Sequence, residues 1–224
     1  MQCRRTTHEQ AAPVLIAAAT RFEPEVQNRS FTAIALGNMP NARSYELLST
    51  MLRTDDAGEV RASAAAGLGY LGDARALPEL RLALLEDHHW STRISAAVAL
   101  GMLRDQRAVD VLMDGLRGAF TRSAAEKEAL QRACIGSLGE LGATAAMPQL
   151  LPFAQARDFL TRQVLAEALG ALMPSCNTPD TAAYRQAAEK CLQHLAQDAH
   201  TNVRDAAQIA WRRLADEAEK EGVE

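Results

Sequence analysis

The stretch "VRASAAAGLGYLGDARALPEL" runs from Val60 to Leu80, and "TRISAAVALGMLRDQRAVDVL" runs from Thr92 to Leu112. The second restates the pattern of the first 32 residues later. Arg61 is matched by Arg93, the pair Leu68-Gly69 by Leu100-Gly101, and Asp73 by Asp105. A unit that recurs at such a spacing buries its apolar face by stacking on its neighbours, which is the signature of a solenoid.

Worked outward from these two copies, the arginine column takes Arg29, Arg61, Arg93, Gln131, Arg162 and Arg204. Seven residues further on lie Leu36, Leu68, Leu100, Leu138, Leu169 and Trp211, in steps of 32, 32, 38, 31 and 42. Glycine follows all of these but Trp211. The columns define one repeat domain over 1–224, with copies near 7–38, 41–71, 74–103, 106–141, 143–172 and 179–216.

Each copy carries two helical patterns. In the first, Leu77, Leu80 and Leu84 recur at helical spacing along one face. Pro78 falls in its first turn, where a missing N–H costs little. Pro13 and Pro148 hold the same slot, and Glu46 and Asp110 hold it in other copies. The second pattern contains small residues such as Ala64, Ala65 and Gly69, which let a neighbouring helix approach. Gly72 and Gly142 stand where a left-handed C-cap is expected.

Composition agrees. Hydrophobic residues make up 48% of the 224 and aromatics only 4%, with Ala and Leu dominant and no sustained strand-type alternation. The fold class expected is therefore all-α. The net charge of -4 lacks the basic surplus of a general nucleic-acid binder, so nucleic acid is not the expected partner. Cys3, Cys134, Cys176 and Cys191 show no framework or metal-type spacing, which points to reduced thiols and a cytoplasmic location. The start, "MQCRRTTHEQAAPVLIAAAT", faintly resembles a signal peptide, but Glu9 and Pro13 interrupt it and the run fits the repeat. No stretch reaches the length of a membrane span, so no membrane partner is expected.

Six residues before the arginine column lie Glu23, Asp55, Asp87 and Asp198. An acid there can accept backbone N–H groups, or meet the arginine of its own or a neighbouring copy. Arg29, Asp55, Arg61, Asp87, Arg93, Arg162, Asp198 and Arg204 are thus expected to form a structural ladder. The competing reading is a set of unrelated caps. The fourth copy departs, with Gln131 in the column and no acid six residues earlier. Two insertions, "GAFTRSAAEKEA" (118–129) and "MPSCNTPDTAAY" (173–184), lengthen links between copies. The apolar run "AAPVLIAAA" reads either as an under-polar cap or as a junction with a partner or a further segment.

The arrangement Asp55…Val60-Arg61…Ala64-Ala65…Leu68-Gly69 followed by Asp73-Ala-Arg75-Ala-Leu-Pro78 resembles HEAT repeats, in the short form of the phycobilisome-lyase-like group. The resemblance is strongest over 23–116 and extends to about 214. It implies an α-α superhelix, a HEAT-like α-solenoid, with second helices lining the concave side. On that side the variable slots hold Phe31, Ile34 and Asn38, then Ser63, Ala66 and Tyr70, then Ile94, Val98 and Met102, with Trp90 nearby. In the later copies the slots hold Arg132, Gly136, Glu140, Gln163, Glu167, Asp205 and Arg213. An apolar strip followed by a polar one is expected. If the facing is rotated by one position, the apolar residues are interhelical core instead.

Catalytic and metal motifs are not found. His88 and His89 are adjacent and point apart, and His194 and His200 read as surface residues. The iron site of the HEAT-like deoxyhypusine hydroxylase needs several His-Glu dipeptides, and this sequence has one, His8-Glu9. "GLGYLG" lies within a helix of the repeat, not after a strand. No cofactor and no metal site are expected. The reading is a non-enzymatic scaffold that binds a partner protein through Phe31, Ile34, Tyr70, Trp90, Ile94, Val98 and Met102. The resemblance also implies an alternative, a bilin lyase or chromophore chaperone. A DNA-repair protein on HEAT-like helices is the third reading, and the apolar strip argues against it.

Overall fold

The computed structural model describes residues 24–118 and 123–221. Eleven α-helices and no strands occur among them. They are α1 (Val26–Gly37), α2 (Ala42–Thr54), α3 (Gly58–Leu71), α4 (Leu77–Glu86), α5 (Trp90–Met102) and α6 (Ala108–Arg117), then α7 (Ala124–Glu140), α8 (Met147–Leu150), α9 (Phe159–Leu172), α10 (Ala182–Leu195) and α11 (Thr201–Glu221). Expectations placed on Pro13, Glu23, His8-Glu9 and the apolar run near them lie outside the described residues.

The ends of the helices follow from local chemistry. Asn41 and Ser123 accept the backbone N–H groups of Ser44 and Glu126 and so cap α2 and α7. Pro78 sits in the first turn of α4, and a short 3-10 turn, Ala74–Ala76, leads into it. Gly72 and Gly142 adopt the left-handed conformation, with φ of 65° and 67°. The matching position of the third copy is Arg104, whose φ is 51°. A side chain in this region crowds its own backbone. Arg104→Gly is accordingly expected to raise stability by about 0.5–1 kcal/mol. Urea unfolding checks this, and an unmoved or lowered midpoint would count against it.

The first helix of the fifth copy departs from the expected pattern. The α-helix stops after Leu150 and the chain continues as a 3-10 segment, Leu151–Gln155. Pro152 accounts for this, since it offers no N–H to an α-helix and its ring collides with the carbonyl four residues back.

Contacts gather the chain into two compact units that meet at Asp105 and Gln106 in sequence. In the first, α1, α3 and α5 lie side by side as one layer, while α2 and α4 form the other. In the second, α7, α9 and α11 form the layer of second helices, backed by α6 and α10. Each unit is thus a two-layer stack of helix pairs.

The repeated leucine column fills the space between layers. Leu36, Leu68 and Leu100 in the first unit, and Leu138 and Leu169 in the second, are fully buried. Leucines of the first helices, among them Leu48, Leu80, Leu84, Leu112 and Leu150, are buried as well. Trp211, which ends the column, is only half-buried. Small residues set the spacing within a layer. A Cβ built on Gly37 would lie 2.5 Å from the Cα of Gly67, and one on Gly139 would lie 2.9 Å from the Cα of Ala168. Neither glycine has room for a side chain at the present separation of its helices.

Candidate interaction face

Three carboxylate–guanidinium pairs of the ladder join neighbouring repeats. Arg29 donates Nε and Nη2 to the two carboxylate oxygens of Asp55, at 2.8 and 2.9 Å. Arg61 grips Asp87 in the same way at 2.7 and 2.8 Å, and Arg162 grips Asp198 at 2.6 and 2.9 Å. Paired parallel bonds of this kind fix direction as well as distance. Toward their own repeats Arg61, Arg162 and Arg204 use Nη1, each on backbone oxygens. Arg61 donates to the carbonyls of Asp55 and Asp56, Arg162 to Ala156 and Arg157, and Arg204 to Asp198 and Ala199. Arg93 donates Nε to the carbonyl of Asp87.

The aspartates have a second task. Asp55, Asp87 and Asp198 each accept the backbone N–H two residues ahead, from Ala57, His89 and His200. One carboxylate therefore shapes the turn of its own repeat and anchors the repeat before it.

Their acidity responds to these contacts. Burial pushes Asp55 and Asp87 up, but hydrogen bonds from Arg29 or Arg61 and from the turn N–H outweigh it and hold both below the usual carboxylate range. For Asp198 the Arg162 hydrogen bond dominates, with the same outcome. Arg61 and Arg162 are raised by their carboxylate partners.

The fourth copy corrects the sequence reading. Gln131 holds the arginine column but only donates to the carbonyl of Leu116. Its neighbour Arg132, expected on the polar strip, instead pairs with Asp158. Asp158 also caps α9, accepting from the N–H groups of Leu160 and Thr161. Burial raises its carboxyl, and the Thr161, Leu160 and Arg132 hydrogen bonds together bring it below the usual range. The separation Arg132 to Asp158 is 26 residues, as in Arg29–Asp55 and Arg61–Asp87. Searching for an arginine and an acid 26 apart, without holding the column fixed, would have found this rung.

The residues chosen as an apolar strip lie on the second helices of the first unit. Phe31, Tyr70, Trp90 and Val98 are 72%, 52%, 49% and 42% exposed. Ile34, Ile94 and Met102 are half-buried, as are Ser63 and Ala66. Met102 of α5 lies over α3, its sulfur 3.2 Å from where a Cβ on Gly69 would stand. On α5 the residues Trp90, Ile94, Val98 and Met102 recur every four positions and share one face.

In the second unit the matching positions are polar. Glu140, Glu167, Asp205 and Arg213 are exposed, and Gln163 donates to Glu167 at 3.0 Å. Ile209, 51% exposed, interrupts them.

Residues 51–128 match the family profile described as HEAT repeats. Over that segment the chain is similar to HEAT repeats. The helix pairs described on either side of it have the same HEAT-like, armadillo-like architecture. One chain from the structure of the complex of CpcE and CpcF of phycocyanin lyase, from a Nostoc species, superposes with a TM-score of 0.59 at 21% identity, over 91% of this chain and 93% of that one. A designed armadillo repeat protein gives a TM-score of 0.61 at 16% identity, over 90% of this chain and 99% of that one. An engineered protein gives 0.59 at 18% identity, over 89% and 96%. At these identities the likeness is one of fold. No curated protein sequence matches the chain.

Among the described residues no group of three His, Cys, Asp or Glu side chains is placed to hold a metal ion. Cys134 is buried, which pushes its thiol up to about 12, and burial takes Cys191 to about 11. Such thiols are poor nucleophiles. Cys176, in the second insertion, is raised by burial as well and donates to the carbonyl of Leu172. His200 stacks on Phe159 with ring centroids 3.6 Å apart, and His89 bonds Ser91. No described helix is long and apolar enough to cross a membrane.

Proposed function

We propose that this protein is a non-enzymatic scaffold that binds a partner polypeptide on the outer face of α1, α3 and α5. The observation that carries the reading is the apolar exposure there: Phe31, Tyr70, Trp90 and Val98 all stand in water on second helices. Aromatic and methionine side chains are enriched at interfaces, and tryptophan and tyrosine are prominent among the few residues that carry most of the energy. The four-residue spacing on α5 suits an amphipathic helix or an extended peptide laid across the layer. The ladder beneath contributes stiffness. The bidentate pairs Arg29–Asp55 and Arg61–Asp87 tie together the repeats that carry α1, α3 and α5, so the face is held ready before binding.

A double substitution tests the reading. Tyr70→Ala with Met102→Ala is expected to weaken capture of the partner from native lysate while helicity and melting temperature stay close to those of the parent. Equal capture by a folded double variant overturns it. A large fall in melting temperature would place the two residues in the core.

A second reading rests on the likeness, over 91% of this chain, to a chain of the CpcE–CpcF complex of phycocyanin lyase. In it the same strip receives a bilin chromophore and its acceptor protein. A new visible absorbance band on mixing this chain with phycocyanobilin and a phycocyanin subunit separates this reading from the first.

A further inference from the structure

One arginine of the ladder is set like the others but has no acid to hold. Arg29, Arg61, Arg132 and Arg162 each hold an aspartate of the repeat that follows. Arg204, in the same column on α11, pairs with no carboxylate among the described residues. Its Nη1 donates to the carbonyls six and five residues back, of Asp198 and Ala199, at 2.7 and 3.0 Å. Arg61 and Arg162 place Nη1 on carbonyls at the same two offsets, and that hold aims their Nε and Nη2 at the next repeat's carboxylate. On Arg204 the same edge meets the Thr201 hydroxyl, which accepts from Nη2 at 2.9 Å, while Nε meets no acceptor among the described residues. The acids nearby are placed elsewhere. Asp198 takes Nε and Nη2 of Arg162, and Asp205, one residue on from Arg204, stands about 100° round the helix.

The rest of that edge decides what fits there. Neighbouring second helices meet through a glycine eight residues after the column position and a small residue six after it. Gly69 faces Ala99, Gly139 faces Ala168 and Gly170 faces Ala210, each too close to admit a Cβ. On α11 the glycine position holds Arg212, which is exposed. Its side chain keeps another helix from closing to the same distance. It also sets a second positive charge about 12 Å along the axis from Arg204. A further helix pair in register is therefore excluded at this spacing, whereas a thin acidic segment meets two cations.

We infer that this edge of α11 docks an acidic segment of a partner protein, with an aspartate carboxylate across Nε and Nη2 of Arg204 and a second carboxylate at Arg212. The rungs themselves show the occupant. Every acid they hold is an aspartate, and Asp55, Asp87 and Asp198 each also accept the backbone N–H two residues ahead. The partner's aspartate is expected to begin a turn of the same kind. An extended chain spans about 12 Å in about four residues, which sets the separation of the two acids. The site lies on the second unit, so it stands or falls independently of the strip on α1, α3 and α5.

The test follows arginine Nε–H resonances of the full chain at low ionic strength, with Arg204 assigned by Arg204→Lys. The probe is acetyl-Ser-Asp-Gly-Ser-Gly-Glu-Ser-amide, and the control carries Asn and Gln in place of Asp and Glu. The Arg204 resonance is expected to shift saturably with the probe, with a dissociation constant of about 1 mM, and to ignore the control. The Arg61 and Arg162 resonances, whose carboxylates are already in place, are expected to stay where they are. Arg212→Gln is expected to weaken the probe by about two- to fivefold, read at Arg204. Arg204→Gln is expected to weaken it by at least about as much, read at Arg212. Arg212→Gln, at an exposed position, carries the mutational test if Arg204→Gln does not fold. The inference is overturned by an unmoved Arg204 resonance, by an equal response to the control, by equal shifts of all the arginines, or by undiminished binding in Arg212→Gln.

Discussion

Replacing Leu68 with alanine is expected to destabilise the protein by about 2–5 kcal/mol. Leu68 is fully buried between the two layers of the first unit, in the column that Leu36 and Leu100 continue on either side. Truncation removes three carbons of apolar contact and leaves a cavity. The surroundings have little freedom to collapse into it. α3 is already held at backbone contact with α1, where Gly67 and Gly37 meet, and with α5, where Gly69 meets Ala99. Helices that touch through their backbones cannot move closer to fill a void, which places the expected cost toward the upper part of the range. Chemical denaturation of Leu68→Ala measures it. A cost below about 1 kcal/mol would mean the layers are not closely packed.

Asp87→Ala is the second large effect. It takes the carboxylate from Arg61 and the acceptor from the His89 N–H together. The Asp87 side chain is only 9% exposed and that of Arg61 only 17%, so water replaces the lost bonds poorly. The expected destabilisation is about 2–3 kcal/mol. Denaturant melts of Asp87→Ala beside Arg61→Ala and the double variant give the coupling directly. Additive losses would show that the pair does not act as a rung.

The same pair carries a pH signature. Asp55, Asp87, Asp158 and Asp198 are all depressed in the folded state relative to an ordinary carboxylate. Folding therefore favours their ionised forms. The stability they add is fully present above the unfolded carboxylate range, near about pH 4, and is lost as pH falls through the lower folded values. Melting temperature is expected to drop on acidification below about pH 4. The drop should be shallower in Asp87→Ala, which has one such group fewer. Parallel acid profiles for the two proteins would contradict the assignment.

Much of this was legible in the sequence, for identifiable reasons. The leucine column, the proline at the start of α4 and the glycine C-caps act over one or two helical turns. Their effect depends on 3.6-residue periodicity and on backbone groups near in sequence, so a linear string carries it. The arginines and acids were visible as columns for the same reason. Which acid each arginine takes was not visible. Arg61 lies six residues from Asp55 and 26 from Asp87, and it gives one its backbone contact and the other its charge contact. That choice depends on how far apart adjacent repeats stand.

The tertiary structure decided the rest. The sequence determined an all-α chain of repeated helix pairs, the residues of its core, and the donors and acceptors available between repeats. Only packing decided that Arg132 takes the place Gln131 vacates, because one residue along a helix turns a side chain by about 100° and a rigid column ignores that turn. Packing also decided that Phe31, Tyr70, Trp90 and Val98 stand exposed while Ile34, Ile94 and Met102 are half-covered. It decided as well that a cleft opens between α6 and the start of α8. Exposure and cavities belong to the distances between helices, and those are fixed by the sum of many contacts from residues far apart in the chain.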